Sequence, residues 1–406
     1  MILETEERDQ KADKDKGASM ELIMQIMKQV GIQKELHNFV FSPLSIRILL
    51  SIVASGQKPG PTLERLLSLL GFETIADLHM YASDDQLNAA LFYPSTDPIS
   101  QGPILSSSNV AWVDKKFTLN PSFRRLLKTL FHGKSFTVDF QNQEAIMEIN
   151  RWAKKATKGL IKNCLPNSAA RKELVLIIAN ALYFKGAWYD PFDEFNTRYS
   201  EFYTLDGENT VQVPFMFKGY ESLSYASSKG FKILRLPYLN GNEITNASRR
   251  RFAMYFFLPD EKDGLFNLLD QFSSNPDLLN LQFEFQITEI RELRIPKFKF
   301  KCRFGVSKIM ELLGLTMNIK DAEILEGLGE DVPMKNSKII HNCCIELNEC
   351  GTEAVADTED ENMGFSLYDG PPPIDFIADH PFIFMIREEI SRTNVFLGAV
   401  LNPLSQ

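Results

Sequence analysis

Apolar positions recur at helical spacing mainly in the first half of the chain and at strand spacing in the second. Leu22, Ile23, Ile26, Met27 and Val30 repeat every three or four residues behind Ser19, which predicts a capped helix. A short apolar strand through Phe41 breaks at Pro43, and a helix over 46–54 follows with Ser42 as its N-cap. Residues 109–118 alternate in strand fashion, Asn120-Pro121 opens another helix, and 136–140 is a further strand. Residues 149–161 form an amphipathic helix that ends at Gly159. The unbroken apolar run 174–181 predicts a strand covered on both faces. Strands continue over 211–217, 231–238 and 252–258, with turns at Asn240-Gly241 and Pro259-Asp260.

One stretch breaks the pattern. Ile339, Ile340, Ile345 and Leu347 alternate loosely with polar residues, as in a half-buried strand, but the character changes at Gly351. Small residues follow (Thr352, Ala354, Val355, Ala356, Thr358), then acids (Asp357, Glu359, Asp360, Glu361), then Gly364-Phe365-Ser366 and a stop at 370–373, Gly-Pro-Pro-Pro. On composition alone this is an acidic surface loop that could be extended but has no strand's worth of apolar face.

Composition narrows the function. With 406 residues, 44% hydrophobic and 24% charged, the chain can bury a large core, and it shows neither a repeat nor a linker. One mixed domain over 19–406 is expected, preceded by a charged tail over 1–18. No apolar run approaches the ~20 residues that span a bilayer. A net charge of −9 argues against nucleic acid and anionic membranes as main partners. Residues 4–16 lack the apolar core of a secretory signal, so a cytoplasmic protein is expected, with an extracellular one reached by another route left open. The five cysteines (Cys164, Cys302, Cys343, Cys344, Cys350) have no framework spacing and read as reduced thiols. The sequon at Asn246 means nothing in a cytosolic protein.

The chemistry of an enzyme is missing. Five histidines occur, without a Gly-x-Ser-x-Gly elbow, a His-Glu-x-x-His helix or a phosphate loop. Cys343 and Cys344, as neighbours on a strand, point to opposite faces and cannot readily share an ion with His341. No metal, cofactor or catalytic residue is expected.

The wording around the irregular stretch adds a resemblance. Glu349-Cys350-Gly351-Thr352-Glu353-Ala354 resembles the proximal hinge of a serpin. Residues 374–382, Ile-Asp-Phe-Ile-Ala-Asp-His-Pro-Phe, with Phe396-Leu397-Gly398 and Asn402-Pro403, resemble the serpin C-terminal strands, most of all those of plant serpins of the Z type. Residues 180–188, Asn-Ala-Leu-Tyr-Phe-Lys-Gly-Ala-Trp, and Phe41-Ser42-Pro43 with Ser45-Ile46 are similar to further family stretches, and 295–300, Ile-Pro-Lys-Phe-Lys-Phe, resembles a family strand. Residues 57–62 depart from the usual turn by carrying Pro59 and Pro61, and Cys350 is unusual before the hinge glycine.

The resemblance implies an α+β serpin fold: a multi-helix N-terminal half, three β-sheets with a dominant central sheet, and an exposed reactive-centre loop over about 351–374. It implies a suicide-substrate inhibitor, expected to be a monomer, cut between Phe365 and Ser366 and suited by Phe365 to a chymotrypsin-like protease; a cysteine protease is the other target class it leaves open. The hinge would comprise Glu349, Gly351, Thr352, Glu353, Ala354 and Ala356. Trp188 and Lys297 would lie under the hinge, Lys297 paired with Glu349, while Ser42, Ser45, Asn180 and His341 would form a buried cluster holding the sheet closed. Insertion turns Thr352, Ala354, Ala356, Thr358, Asp360, Asn362 and Gly364 inward, where Asp360 and Asn362 fit badly. The outward set, Glu353, Val355, Asp357, Glu359 and Glu361, is expected to stay solvated. The acids Asp357 and Asp360 leave two alternatives open: a non-inhibitory binding protein or plain substrate of this fold, and a bait for an aspartate-directed cysteine protease.

Overall fold

The computed structural model describes residues 37–83, 102–166, 174–240, 250–275, 278, 280, 283–312, 315, 322–326, 337–352 and 372–405. The tail, the expected helix behind Ser19, Gly241, the sequon at Asn246 and residues 353–371 lie outside them.

Local sequence explains the helix starts. Helix α1 (Pro43–Ala54) begins three residues before the expected point, because proline at N1 lacks only an N–H that would have no partner there. The Ser42 hydroxyl accepts the Ser45 N–H at 3.1 Å and caps it. Helix α2 (Pro61–Leu70) repeats the device: Pro61 starts it, and Gly71 ends it in the left-handed region. Asn120 caps α4 (Pro121–Thr129), the next after α3 (Ile75–Ser83). Helix α5 (Gln143–Ala156) starts at its Asn142 cap, six residues before the apolar spacing suggested, and stops ahead of Gly159 at φ 99°.

Among the described residues, the strands make three sheets. Six strands form the first, in the order β11 (Phe298–Gly305), β13 (Ser337–Asn348), β14 (Gly351–Thr352), β5 (Leu176–Ala187), β2 (Ile104–Asp114) and β4 (Lys134–Val138). The second has nine strands, including the continuous β7 (Thr210–Ser228), which pairs with both β6 (Arg198–Tyr203) and β8 (Phe231–Pro237). A two-stranded ribbon is the third. The expected strand over 295–300 is two strands. Pro296 closes β10 (Gln286–Pro296) in the nine-stranded sheet, and the chain crosses at Lys297 to begin β11 in the six-stranded one. Proline cannot extend a ladder as a donor, and the Lys297 N–H bonds the Pro214 carbonyl instead.

The six-stranded sheet is mixed, not antiparallel throughout. β13 runs parallel to β5, and β2 parallel to β4. Both of its faces are covered, which is why the start of β5 reads as an apolar run, Leu176 to Ala179, on both faces. Leu176, Ile178, Ile339 and Cys343 enter the main core; Ile177, Ala179, Ile340 and Cys344 enter a second core under α5. Adjacent cysteines thus face opposite cores, as the strand period requires. In α5, Ala145, Ile146, Ile149 and Ala153 form the stripe that packs on this second face.

Asn38 ties the two ends of the described fold together. Its amide donates to the carbonyls of Asn402 (2.6 Å) and Ser405 (2.9 Å), and its oxygen accepts the N–H groups of Leu401 (2.7 Å) and Asn402 (2.9 Å). Asn38→Ala removes all four bonds at a half-buried site and is expected to destabilise the native chain by roughly 2–3 kcal/mol. The urea midpoint should fall, with Asn38→Asp recovering part of the loss through the retained acceptor.

Candidate functional site

The site is the mouth of the seam between β13 and β5. From Ser337↔Leu176 to Asn342↔Ala181 the two strands pair directly and in parallel. Above that level the seam forks. Gly351 and Thr352 return between the strands as β14, antiparallel to both: Gly351↔Ala187 and Thr352↔Gly186 on one side, Asn348↔Gly351 and Leu347↔Thr352 on the other. The chain turns at Glu349-Cys350 to do so. The Asn348 side chain accepts the Cys350 N–H at 3.1 Å, and the Cys350 carbonyl accepts the Trp188 N–H at 2.9 Å.

Gly351 is required by both conformation and space. Its φ is 141°, and a Cβ there would meet the Gly186 carbonyl oxygen at 2.1 Å and Ala187 Cα at 2.9 Å. Gly186 is small for a related reason: a Cβ on it would press on the Tyr238 ring at 2.8 Å.

Tyr238 forms the floor. It is fully buried, stacks on Trp188 with centroids 4.7 Å apart and meets Phe184 edge-on. Its hydroxyl lies 2.7 Å from Thr352 Oγ1, so the first inward-facing residue after Gly351 is held by a hydrogen bond. Burial raises the phenol's pKa, so the ring stays neutral. Trp188 donates its indole N–H to the Asn348 carbonyl at 3.1 Å and so fastens the turn from below.

Glu349 locks the same turn from the side. Its side chain is 3% exposed and takes Lys297 Nζ at 2.7 Å and the Thr197 hydroxyl at 2.6 Å, while its carbonyl accepts the Phe192 N–H. Burial alone pushes this carboxyl up, but the bonds from Lys297, Thr197 and the backbone outweigh it and hold the group below the ordinary carboxylate value.

Lower in the seam lies the polar cluster. The Ser42 N–H donates to His341 Nε2 at 3.0 Å, and His341 pairs in register with Asn180. Burial pushes the imidazole down to about 3, so it is neutral and can accept that bond at ordinary pH. Asn180 donates to Ser107 Oγ (2.9 Å) and Asn109 Oδ1 (2.6 Å). Its own Oδ1, together with Ser45 Oγ and Ser337 Oγ, is buried without a hydrogen-bond partner among the described residues. Such atoms destabilise the closed seam, each by roughly 1–3 kcal/mol.

The structure therefore brings Glu349, Gly351, Thr352, Trp188 and Lys297 together at the mouth, and Ser42, Asn180 and His341 in one cluster with Ser45 beside Ser42. Glu353, Ala354, Ala356 and the bond Phe365–Ser366 lie outside the described residues. Tyr238, Gly186, Thr197 and Asn109 were missed in the sequence. Tyr238 ends an ordinary apolar strand run, and nothing local tells its hydroxyl from that of any core tyrosine. The outward set expected to stay solvated (Glu353, Val355, Asp357, Glu359 and Glu361) lies outside the described residues. On the second face of the sheet, Ile177, Ala179, Ile340 and Asn342 are buried under α5 and the segment after it, from which Cys164 accepts the Asn342 amide. Among the described residues, no group of three or more His, Cys, Asp and Glu is placed to hold a metal.

Because Glu349 titrates below its ordinary value, its lock contributes fully above that value and is lost as pH falls through the lower folded-state one. Melting temperatures taken from pH 7 down to pH 3 should show this loss, worth about 1 kcal/mol with Lys297 open to solvent. Glu349→Gln should lower the melting temperature at pH 7 and flatten that part of the profile.

Comparison with known proteins follows the same lines. A family model described as serpin (serine protease inhibitor) matches residues 17–403. The chain is 41% identical over 374 residues to Serpin-ZX of Arabidopsis thaliana, covering 90% of this chain and 92% of that one. It is 36% identical over 373 residues to Serpin-Z1B of Triticum aestivum, covering 90% of each. The solved structure of Arabidopsis AtSerpin1, in what is termed its native stressed conformation, superposes with a TM-score of 0.81 at 37% identity and covers 98% of both chains.

Proposed function

This chain belongs to the serpin family, and from that premise we propose that it is a suicide-substrate inhibitor of a chymotrypsin-like serine protease, with Phe365–Ser366 as the bait bond. The protease's serine attacks the Phe365 carbonyl, the Ser366 amine leaves, and an acyl-enzyme remains on the new end at Phe365. Residues from Glu353 onward then follow Thr352 into the seam and carry the protease away before water releases it.

The observation that carries this reading is the register at the mouth. Gly351 and Thr352 already pair antiparallel to both flanking strands, where below them those strands pair in parallel. Extending β14 exchanges that parallel ladder for two antiparallel ones, which are slightly more stable per residue.

On this reading, continuing the same register beyond Thr352 would give each inward position of the inserted strand a pair of neighbours. Ala354 falls between Phe184 and Ile345, and Ala356 between Leu182 and Cys343, where small side chains suit a packed core. Thr358 falls between Asn180 and His341, so its hydroxyl can answer the unpartnered Asn180 Oδ1. Asn362 falls between Leu176 and Ser337, whose hydroxyl also lacks a partner among the described residues. The residue that looked ill-suited in sequence has a reason to be there. Asp360 alone stays a misfit, between the buried Ile178 and Ile339. A carboxylate there must take up a proton or lose several kcal/mol.

Asp360 is what favours the second reading, a chain cut as a substrate because insertion stalls. Mixing the chain with chymotrypsin separates the two. Inhibition gives an SDS-stable complex and a released fragment beginning at Ser366; the second reading gives cleavage without a complex.

Two variants test the route. Thr352→Arg places a charge where the Tyr238 hydroxyl is the polar partner, so the complex should disappear while cleavage at Phe365–Ser366 continues. Retained trapping would exclude insertion through this hinge. Asp360→Ala should raise the ratio of complex to cleaved chain several-fold, and an unchanged ratio would mean that insertion past this level is not limiting.

A further inference from the structure

The most exposed aromatic rings lie beside the two fixed points between which the bait bond is strung. Phe195 is 96% exposed, Tyr199 74%, Tyr220 70% and Tyr189 67%, whereas the other exposed aromatics among the described residues reach 41%. A single exposed ring is ordinary, but four in the stretch 189–220 mark a surface. Three of them flank the turn at Glu349-Cys350. Tyr189 follows Trp188, whose N–H donates to the Cys350 carbonyl at 2.9 Å. Phe195 and Tyr199 stand two residues to either side of Thr197, whose hydroxyl bonds Glu349. The fourth, Tyr220, stands at the strand that follows the bait bond, β15 (Ile374–Ile377). There Ile374 pairs with Ile290, and Ile290 with Glu221, while Arg291 Nε donates to Asp375 at 2.9 Å.

The two groups are joined, and their backbones are fixed. Lys218 Nζ donates to the Asp190 carbonyl at 3.2 Å and pairs with its carboxylate, which ties the neighbour of Tyr189 to the strand just before Tyr220. The Phe192 ring lies 5.4 Å from the same Nζ. The Tyr189 N–H bonds the Pro237 carbonyl at 3.0 Å, the Phe195 N–H bonds the Asp193 carboxylate at 2.9 Å, and Tyr199 pairs with Pro214. Tyr220 is held at φ 56°, a conformation that bulky residues rarely adopt, where the ladder passes from Ile290↔Glu221 to Glu292↔Gly219.

We propose that Tyr189, Phe195, Tyr199 and Tyr220 form a docking surface for the body of the target protease, outside its active site, which speeds attack on the bait bond. The proposal rests on the reading of Phe365–Ser366 as that bond and adds what selects the protease besides Phe365. Chain length names the occupant. Phe365 is thirteen residues beyond Thr352 and nine before Ile374, so it stays within about 45 Å of the first and about 30 Å of the second. A protease domain is itself tens of ångströms across, so one that holds this bond lies over the end of the molecule that carries both anchors. Aromatic rings on fixed backbone suit that contact, because they offer a large area for two torsions and are enriched among the residues that carry binding energy.

Two variants test it, the pair Phe195→Ala with Tyr199→Ala, and Tyr220→Asn, which keeps a residue that tolerates the left-handed region. All three side chains are exposed, and melting temperatures equal to the parent's establish that the variants fold. With chymotrypsin in excess, the second-order rate constant for attack at Phe365–Ser366 is measured together with the ratio of SDS-stable complex to cleaved chain. Each variant should lower the rate constant roughly five- to twentyfold and leave the ratio unchanged, since docking precedes the acyl-enzyme and the ratio is decided after it. Variants attacked as fast as the parent overturn the proposal, and so do variants that lose the ratio but keep the rate. A parent cut at this bond without a complex overturns the inhibitory reading alone, because the rate of cutting still reports docking. A parent that is not cut there overturns both.

Discussion

The parallel pairing of β13 with β5 is the constraint on which the rest depends. Two parallel neighbours in a sheet can be separated by one strand antiparallel to both, and β14 has begun that separation at one end. The closed part of the seam is held by six residue pairs, and its polar atoms are incompletely satisfied. Asn180 Oδ1, Ser45 Oγ and Ser337 Oγ are buried without partners among the described residues, and each such atom weakens the closed state.

Opposing this are the contacts at the mouth. Glu349 with Lys297 and Thr197, Trp188 under Asn348, and Tyr238 on Thr352 grip the turn at three residues, Asn348, Glu349 and Thr352. Each is a modest interaction, and each holds backbone that must move if β14 is to lengthen. Gly351 and Gly186 make the arrangement possible, because only two glycines let the chains approach so closely. The mouth thus combines a start on insertion with a brake upon it.

The closed seam is covered on both sides. Ile178, Ile339 and Cys343 belong to the main core on one face, while Ile177, Ala179, Ile340 and Cys344 lie under α5 on the other. Strands held from both faces separate only if the packing on each side yields along with the ladder between them.

Much of this was legible in the residues themselves. The Ser42 cap, the helix opened by Asn120-Pro121, the buried strand after residue 174 and the hinge wording around Gly351 are local facts: caps, proline geometry and apolar period act over a few residues. The opposed directions of Cys343 and Cys344 follow from the strand period alone. What the sequence could not tell is which strands meet. The break of 295–300 at Lys297 came from a change of sheet, the parallel seam from a pairing across more than 150 residues, and the cover on the outward face from a helix far off in sequence. Tyr238 beneath Thr352 and Thr197 beside Glu349 belong to the same class. Their roles depend on side chains brought together from distant segments, and no local period or motif records that.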